Sequence, residues 1–514
     1  MTRVNANVRQ AVLLPALVLL GVVSTAVGSL GAPLLPTIVA DLHVSLATSQ
    51  WALTISLIAG AVAAPLLGRL GDGRRRRETI LCALAVVALG CVLSALPLGF
   101  EWLLAGRALQ GVGLGLVPLA ITAARDGLPE RKQGSGIALI GVTTAAGLGV
   151  GYPVAGLITA YGGLAAAFWF GAALTVVTIG IAAWVLPPNP DRRPRRLDAV
   201  GLALLTVAIV ALLLACSQGP QWGWTSPALV SAVVVAVLVT CAWMWWELRH
   251  RAPLVDVRLL RHPSVLAADV MVVLVGAGIY PLLSLVVRYA QTSPNAGYGY
   301  GYSAALAGVM LVPYSVGSFV ASRLAVRAMR RFSLEALTAA SSVVLIAAMA
   351  LFLTTRAHLV PLLVCMGLAG FGIGVVFAVN PAQIHRGVPP QETGSANSFY
   401  QVLRYVGYSV GSALSATLLV VHTPDGSNIP TENGYAAAAW EGIFALVVAV
   451  AAALLLSLNA RRRKGAGAER FSDRPRCGGE FRARAGFPDT RSSRDGGRFP
   501  HEGDLTKPKV TPRG

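Results

Sequence analysis

The chain has 514 residues, of which 55% are hydrophobic and only 13% are charged, and its mean hydropathy is +0.65. A soluble globular chain carries about 25% charged residues, so the composition excludes that class and indicates a membrane protein. The formal net charge of +19 does not indicate a nucleic-acid partner, because the basic residues lie between and after apolar runs and not on one face of a helix.

Apolar runs follow one another along most of the chain. Because a membrane-spanning helix needs about 20 mostly apolar residues, the sequence predicts an all-α polytopic membrane protein with fourteen spans. They lie at 11–30, 50–67, 79–98, 102–124, 135–159, 164–186, 198–216, 227–246, 264–287, 303–322, 334–355, 359–381, 395–421 and 436–459.

The distribution of basic residues predicts the orientation of these spans. With the N-terminus inside, the inner loops before Arg461 hold 23 arginines and lysines, whereas the outer loops hold two, Arg288 and Arg356. The positive-inside rule therefore predicts an even number of spans and two cytoplasmic termini. Arginine far outnumbers lysine, which indicates a GC-rich genome, so we expect a bacterial inner membrane.

The loop Leu66–Glu78, between the second and third spans, contains one aspartate and five arginines. Gly68 allows two helices to approach closely, and we expect Asp72 to pair with an arginine or a helix N-terminus. Such a contact can close in one conformation and open in another, so Gly68, Asp72, Arg76 and Arg77 are candidate gating residues. The alternative is a solvated basic loop without a gating role.

Two arginines lie within predicted spans. Since an arginine inside the membrane costs about 2.5–3.5 kcal/mol on an insertion scale, Arg107 and Arg404 should face a cavity or a partner. Gln110 lies on the same helix face as Arg107, three residues on. These three residues are candidates for proton coupling or for lining a cavity; the alternative is that the arginines extend to the membrane interface.

The predicted fifth span contains a cluster of small residues. Gly147, Gly151 and Gly156 allow close helix packing, and Pro153 introduces a kink. We expect a helix-interface motif here, with simple packing as the alternative to a role in conformational change.

Carboxylates in or near the spans are few, although a proton-coupled carrier needs one whose protonation follows access. Asp269 lies near the inner end of its predicted span, and Glu101 and Glu441 lie near outer ends. None of the three lies near the middle of its predicted span, so we predict an interfacial position for each.

The chain also repeats itself. Gly111–Val117 matches Gly370–Val376, and the glycines, prolines and serines of the following loops match at nearly the same offset. Repeated halves are typical of alternating-access carriers. We therefore predict an N-terminal six-helix bundle at 1–190, two extra helices with an inner loop at 191–262, a C-terminal six-helix bundle at 263–460 and a disordered basic cytoplasmic tail at 461–514.

Together these residues resemble the major facilitator superfamily, specifically its fourteen-span drug/proton antiporters. Gly68–Arg77 resembles the superfamily's loop motif, Arg107–Gly113 its fourth-span motif, Gly147–Gly156 the antiporter motif, and Arg404 with Gly407 the thirteenth-span pattern. The resemblance implies two six-helix bundles plus two extra helices, and proton-coupled efflux of hydrophobic or amphipathic small molecules. It links Arg107 to proton transfer. We expect a monomer that needs no cofactor or metal.

The sequence departs from the family pattern at several positions. The first-span motif usually carries Asp and Asn, but those positions align with Val27 and Ala32, so the group's usual membrane acid is missing. Arg75 and Tyr152 replace glycines of the loop and antiporter motifs, and Leu157 replaces the last antiporter glycine.

Three other functions remain open at this stage. The first is a carrier of the same fold for a specific metabolite or nutrient. The second is a membrane enzyme, although the histidines are scattered and no catalytic residues or nucleophile constellation emerges. The third is a sensor or scaffold, which only the basic tail supports.

Overall fold

The structure is a computed structural model that describes residues 3–472, apart from residues 32–33, 45, 50, 72–74, 188–197, 224, 251–252, 390–391 and 425–428. The regular secondary structure of these residues is entirely helical.

The first part of the chain forms eight α-helices, whose buried apolar residues lie mainly in two clusters. They are α1 (Arg3–Ser29), α2 (Leu35–Leu42), α3 (Leu46–Ser49), α4 (Trp51–Gly71), α5 (Arg76–Ala95), α6 (Phe100–Gly111), α7 (Leu116–Gly127) and α8 (Glu130–Val185). A short 3-10 turn, Val112–Gly115, joins α6 to α7, so both helices belong to the predicted fourth span.

The remaining described helices include two that follow the first part and seven that surround a second apolar core. They are α9 (Ala199–Trp222), α10 (Pro227–Arg249), α11 (Pro263–Gln291), α12 (Ala304–Val309), α13 (Val312–Ala328), α14 (Leu334–Thr355), α15 (Leu359–Gly387), α16 (Thr393–Val421) and α17 (Glu432–Ser472). The last helix continues through residues 461–472, where the sequence predicted a disordered tail; the rest of that tail lies outside the described residues.

Twelve of the described segments are long and apolar enough to cross a membrane. The two predicted spans at 135–159 and 164–186 fall in α8, whose backbone leaves helical geometry at Gly163 (φ 74°, ψ −178°). The polar helix α16, which contains Arg404, is not among the twelve. The predicted count of fourteen spans therefore stays a prediction.

The repeated glycines make equivalent contacts in the two parts. Each repeat contains three glycines. The first and third glycines face the second span of their own part, and the middle glycine faces the third span. The glycines are Gly111, Gly113 and Gly115 against α4 and α5, and Gly370, Gly372 and Gly374 against α13 and α14. This agreement is what an internal duplication requires.

The structure shows a second pair of equivalent contacts, which we did not predict from the sequence. Gly147 and Gly151 of α8 face Thr25 and Ser29 of α1, while Gly407 and Gly411 of α16 face the backbone of α11. The two glycine pairs have the same four-residue spacing, and the offset between them continues the repeat seen at the loops. Close packing of a fifth span on a first span is thus common to both parts.

The two extra helices lie on one flank of the junction between the parts. One apolar cluster joins Ile58 of α4, Ile209 of α9 and Tyr405 of α16. Thr54 and Ser217 are hydrogen-bonded across α4 and α9 at 2.9 Å, and the ring of Trp243 stacks on Phe399 of α16. Helix α9 therefore contacts both halves of the predicted carrier.

Candidate functional site

Arg107 lies inside the first helical core with 1% of its surface exposed. Its Nε donates to the carbonyl of Ala52 at 3.1 Å, and one terminal nitrogen donates to the carbonyl of Val27 at 3.3 Å. The same nitrogen donates to Gln110 Oε1 at 2.7 Å. The guanidinium thus links α6 to α1 and α4.

Gln110 carries this network onward to the third span. Its amide nitrogen donates to the carbonyl of Gly90 at 3.1 Å and to Ser94 Oγ at 3.0 Å. At the first-span motif, Val27 offers Arg107 a backbone carbonyl where the family pattern has an acid. Ala32, the other substituted position, lies outside the described residues.

Arg404 lies near the middle of α16 and is 3% exposed. Its guanidinium carbon lies 4.9 Å from the ring centre of Phe377, 5.4 Å from that of Tyr405 and 5.9 Å from that of Tyr408. The described residues contribute no carboxylate that forms an ion pair with it, and its Nε has no hydrogen-bond partner. This arginine is therefore a buried cation held by aromatic rings.

A small cavity separates the two parts beside Arg404. Val117, Ile121 and Gly141 line one wall, and the opposite wall comes from α15 and α16. That second wall consists of Phe377, Pro381, Asn397, Tyr400, Gln401 and Arg404. The space is no larger than one water molecule requires, so the parts are closed on each other here.

The two parts also meet at the end of the bundle that holds the loop after α4, which we call the basic end. Arg69 and Glu392 form an ion pair at 3.5 Å, with Arg69 buried. Arg125 donates a hydrogen bond to Thr393 Oγ1. Gly68 packs where a side chain would meet Ser398 and the carbonyl of Gly394. These contacts hold α4 and α7 against the start of α16.

The other gating candidates contact residues of the first part. Arg76 is buried, and its guanidinium donates to the carbonyl of Gly71 and to Asp126 Oδ2, both at 2.8 Å. Arg77 donates to the carbonyl of Ala183 at 2.5 Å. The predicted contact of Asp72 lies outside the described residues.

The glycines of the motif in α8 contact a helix of the same part. Gly147 and Gly151 face α1 of the same part, whereas Gly141 makes the close approach to the carbonyl of Phe377 in the other part. Pro153 is buried and Gly156 is half-buried. The motif therefore tightens packing within one bundle, and the smaller contact at Gly141 forms the junction.

The three candidate carboxylates differ in burial. Asp269 is 4% exposed, and its Oδ1 has no hydrogen-bond partner; its predicted interfacial position stays a prediction. Glu441 is half-buried with one unpartnered oxygen, and Glu101 is exposed in the first turn of α6.

Sequence reasoning missed Glu392 and Asp126, the acids that pair with Arg69 and Arg76. Both lie in predicted inner loops, which together hold far more basic residues than acids. The small number of acids could have identified these two residues, because an acid among many basic residues is expected to form an ion pair.

Comparison with known families gives an extended match. The family profile described as Major Facilitator Superfamily matches residues 17–412 and also residues 265–494. The first match alone covers more than half of the chain.

Individual relatives are transporters. An uncharacterized MFS-type transporter of Mycobacterium tuberculosis is 30% identical over 428 residues, which cover 80% of this chain and 60% of that protein. The chain thus spans less than two thirds of that relative's length. Multidrug resistance protein 3 of Bacillus subtilis is 25% identical over 405 residues, covering 78% of each chain.

Solved structures share the fold. The human organic anion transporter MFSD10 is similar with a TM-score of 0.61 at 18% identity, over 86% of this chain and 99% of that one. The POT family transporter PepTSo gives a TM-score of 0.57 at 17% identity, over 88% of this chain and 98% of that one.

Proposed function

The chain belongs to the Major Facilitator Superfamily, and we propose that it exports hydrophobic or amphipathic small molecules across the bacterial inner membrane in exchange for protons. The observation that carries the proposal is the closed cavity between the two parts, which has an apolar wall and an aromatic, polar wall. Relatives named multidrug resistance proteins support this substrate class.

Alternating access explains how such a cavity would work. The basic end is closed by Arg69–Glu392 and Arg125–Thr393, so export requires these contacts to open toward the cytoplasm and to reform after substrate enters. We assign Gly68, Asp72, Arg76 and Arg77 to this gate. Both termini are cytoplasmic in this proposal, and the monomer is the working unit.

Arg107 is assigned to coupling because its network reaches three spans. Its partners are backbone carbonyls of α1 and α4 and the amide of Gln110. Movement of α1 or α4 would change the number of acceptors around the guanidinium. In this proposal a carboxylate elsewhere carries the proton, and Asp269 is the buried one of the three predicted carboxylates.

A carrier for one metabolite or nutrient is the second candidate. The polar wall of α16 favours it, because Asn397, Gln401 and Arg404 offer directional contacts to a specific ligand. A broad exporter relies more on apolar contacts.

Export assays separate the two candidates. Cells that express the chain would be loaded with a fluorescent hydrophobic cation, a neutral drug or an amphipathic anion, with and without a protonophore. We expect export that the protonophore abolishes. Absence of export of all three, with the protein present in the membrane, would instead favour the metabolite carrier.

A matched pair of variants tests the gate in the same assay. Asp72→Asn should abolish export and leave membrane abundance intact. Glu130→Gln, an exposed acid of the same part, should export normally. Wild-type export by Asp72→Asn would remove Asp72 from the gate.

A further inference from the structure

We infer that the cavity beside Arg404 binds the acidic group of an amphipathic organic anion, such as a carboxylate, sulfonate or phosphate attached to an apolar body. The inference rests on the proposed transport function and names its substrate class.

The first argument is the charge balance of the buried arginine. A guanidinium taken out of water is normally compensated by an ion pair or by several hydrogen bonds. Arg404 has three aromatic rings around it, and among the described residues no ion-pair partner. Cation–π contacts offset only part of the cost, so the site is incomplete until an anion is bound.

The contrast with Arg107 sharpens this argument. Arg107 is equally buried, but backbone carbonyls and the Gln110 amide occupy its donors. It is therefore satisfied within the protein. Of the two, only Arg404 combines an unpartnered Nε with a place on the cavity wall.

The neighbouring groups on α16 offer further donors. Gln401 lines the same cavity one turn before Arg404, and its amide nitrogen is buried without a hydrogen-bond partner. Two donors on adjacent turns fit the oxygens of one acidic group. The amide oxygen of Asn397 is also unpartnered, and it can accept from a hydroxyl of the ligand or from a bridging water.

The titratable groups around Arg404 do not supply the missing anion. The titratable side chains that surround it are tyrosines: Tyr400, Tyr405 and Tyr408 on its own helix, and Tyr314 from α13. Asp269 is a buried carboxylate on α11, but it does not pair with Arg404. The wall formed by Val117 and Ile121 is apolar, so the body of the ligand belongs on that side.

The same features argue against a lipophilic cation. A cation in this cavity would face an uncompensated guanidinium in a medium of low dielectric constant, where like charges repel strongly. The first-span acid that could attract a cation is replaced by Val27.

A binding experiment without a proton gradient tests the inference. The purified full-length chain in nanodiscs of zwitterionic lipid would be titrated with three naphthalene probes that differ only in head group: a sulfonate, a neutral sulfonamide and a quaternary ammonium. Empty nanodiscs correct for partition into lipid. We expect the sulfonate to bind at least about tenfold more tightly than the other two.

Variants then place the preference at Arg404. Arg404→Gln should abolish the preference for the sulfonate and leave the affinity for the sulfonamide within about twofold. Arg404→Lys should keep part of the preference for the sulfonate, because lysine retains the positive charge but lacks the planar guanidinium of arginine. Arg323→Gln is the matched control, since Arg323 also lies over a ring, that of Phe319, but is exposed outside the cavity.

Equal affinities, a preference for the ammonium probe, no binding of any probe, or a sulfonate preference that survives Arg404→Gln would overturn the inference. If Arg404→Gln does not fold, the wild-type series and Arg404→Lys still decide it. Arg404-dependent binding of the anion without protonophore-sensitive export would contradict only the proposed function. Export of other probes without anion binding would contradict only this inference.

Discussion

The side chain of Arg107 shows how one residue can fix three helices. The sequence places Gln110 on its helix face, and the structure has the two side chains hydrogen-bonded at 2.7 Å. Its two carbonyl acceptors, on Val27 and Ala52, lie 80 and 55 residues away in the chain. No local sequence pattern predicts contacts at such separations.

Replacing Arg107 with lysine tests the strength of this network. A lysine keeps the charge but cannot reach three separate acceptors in the plane of a guanidinium. Each lost hydrogen bond to a charged group costs about 1.5–3 kcal/mol, so Arg107→Lys should lower the thermal unfolding midpoint of the purified chain clearly. Ser94→Ala, which removes one neutral partner of Gln110, should lower it much less, and equal midpoints for both variants would contradict this account.

Gly68 is a residue whose missing side chain allows the two parts to touch. A Cβ at this position would collide with Ser398 and lie 2.9 Å from the carbonyl of Gly394. Gly68→Ala should therefore open the basic end and reduce transport severalfold, and Ser398→Gly in the same chain should restore part of the activity. Transport rates in vesicles measure both, and a double variant no better than Gly68→Ala would show that the Ser398 contact is not the cause.

Much at the residue scale could not be read from the sequence. The sequence pointed to Arg76 as part of a gate, but its partner Asp126 lies 50 residues away, at the end of α7. The sequence predicted that the motif glycines Gly147 and Gly151 lie at a helix interface, but not that the helix they face is α1. A motif identifies residues that must be small or charged, but only the packed helices determine what each one meets.

At the scale of helices, the sequence predicted most element positions because long apolar runs bounded by charged loops are unambiguous. The predicted break between 159 and 164 contains Gly163, where the backbone of α8 leaves helical geometry. Helix α16 was predicted despite its polar residues, because its apolar residues still fill a span. The position of α9 against both parts could not be predicted, because its apolar residues do not mark one face of the helix as the packing face.

The contact between α11 and α16 makes a prediction about helix packing. A side chain at Gly407 would stand 2.5 Å from the carbonyl of Val273, so Gly407→Leu must separate the two helices. Backbone displacement in a packed core costs about 1–3 kcal/mol or more, and the thermal midpoint of the purified chain should fall by several degrees. Gly180→Leu is the control, because a Cβ at Gly180 meets nothing within 4 Å; an equal loss in both variants would contradict the packing argument.

For the whole molecule, the decisive feature is the ion pair between Arg69 and Glu392, which joins two parts of the chain that are distant in sequence. The repeat predicted two similar halves, but a repeat carries no information about how the halves face each other. Arg69 is 4% exposed in this pair and Glu392 is 23% exposed. A partly desolvated pair of this kind can bias the equilibrium between closed and open states of the basic end.

Reversing the charges tests that bias. Arg69→Glu places two carboxylates together and Glu392→Arg two guanidiniums, so each single variant should favour the open basic end, whereas the double variant should restore closure. Ser398→Cys, under Gly68, reports opening through its reaction with a membrane-impermeant maleimide in inside-out vesicles, with the six native cysteines replaced by serine.

A shift of about 1.4 kcal/mol in the equilibrium would raise the labelling rate about tenfold in the single variants, and the double variant should label near the original rate. Arg356→Glu is the control, because its pair with Glu432 at 3.2 Å lies within the second part and should leave the labelling unchanged. If the double variant labels as fast as either single variant, the two charges act separately, and the pair does not hold the halves together.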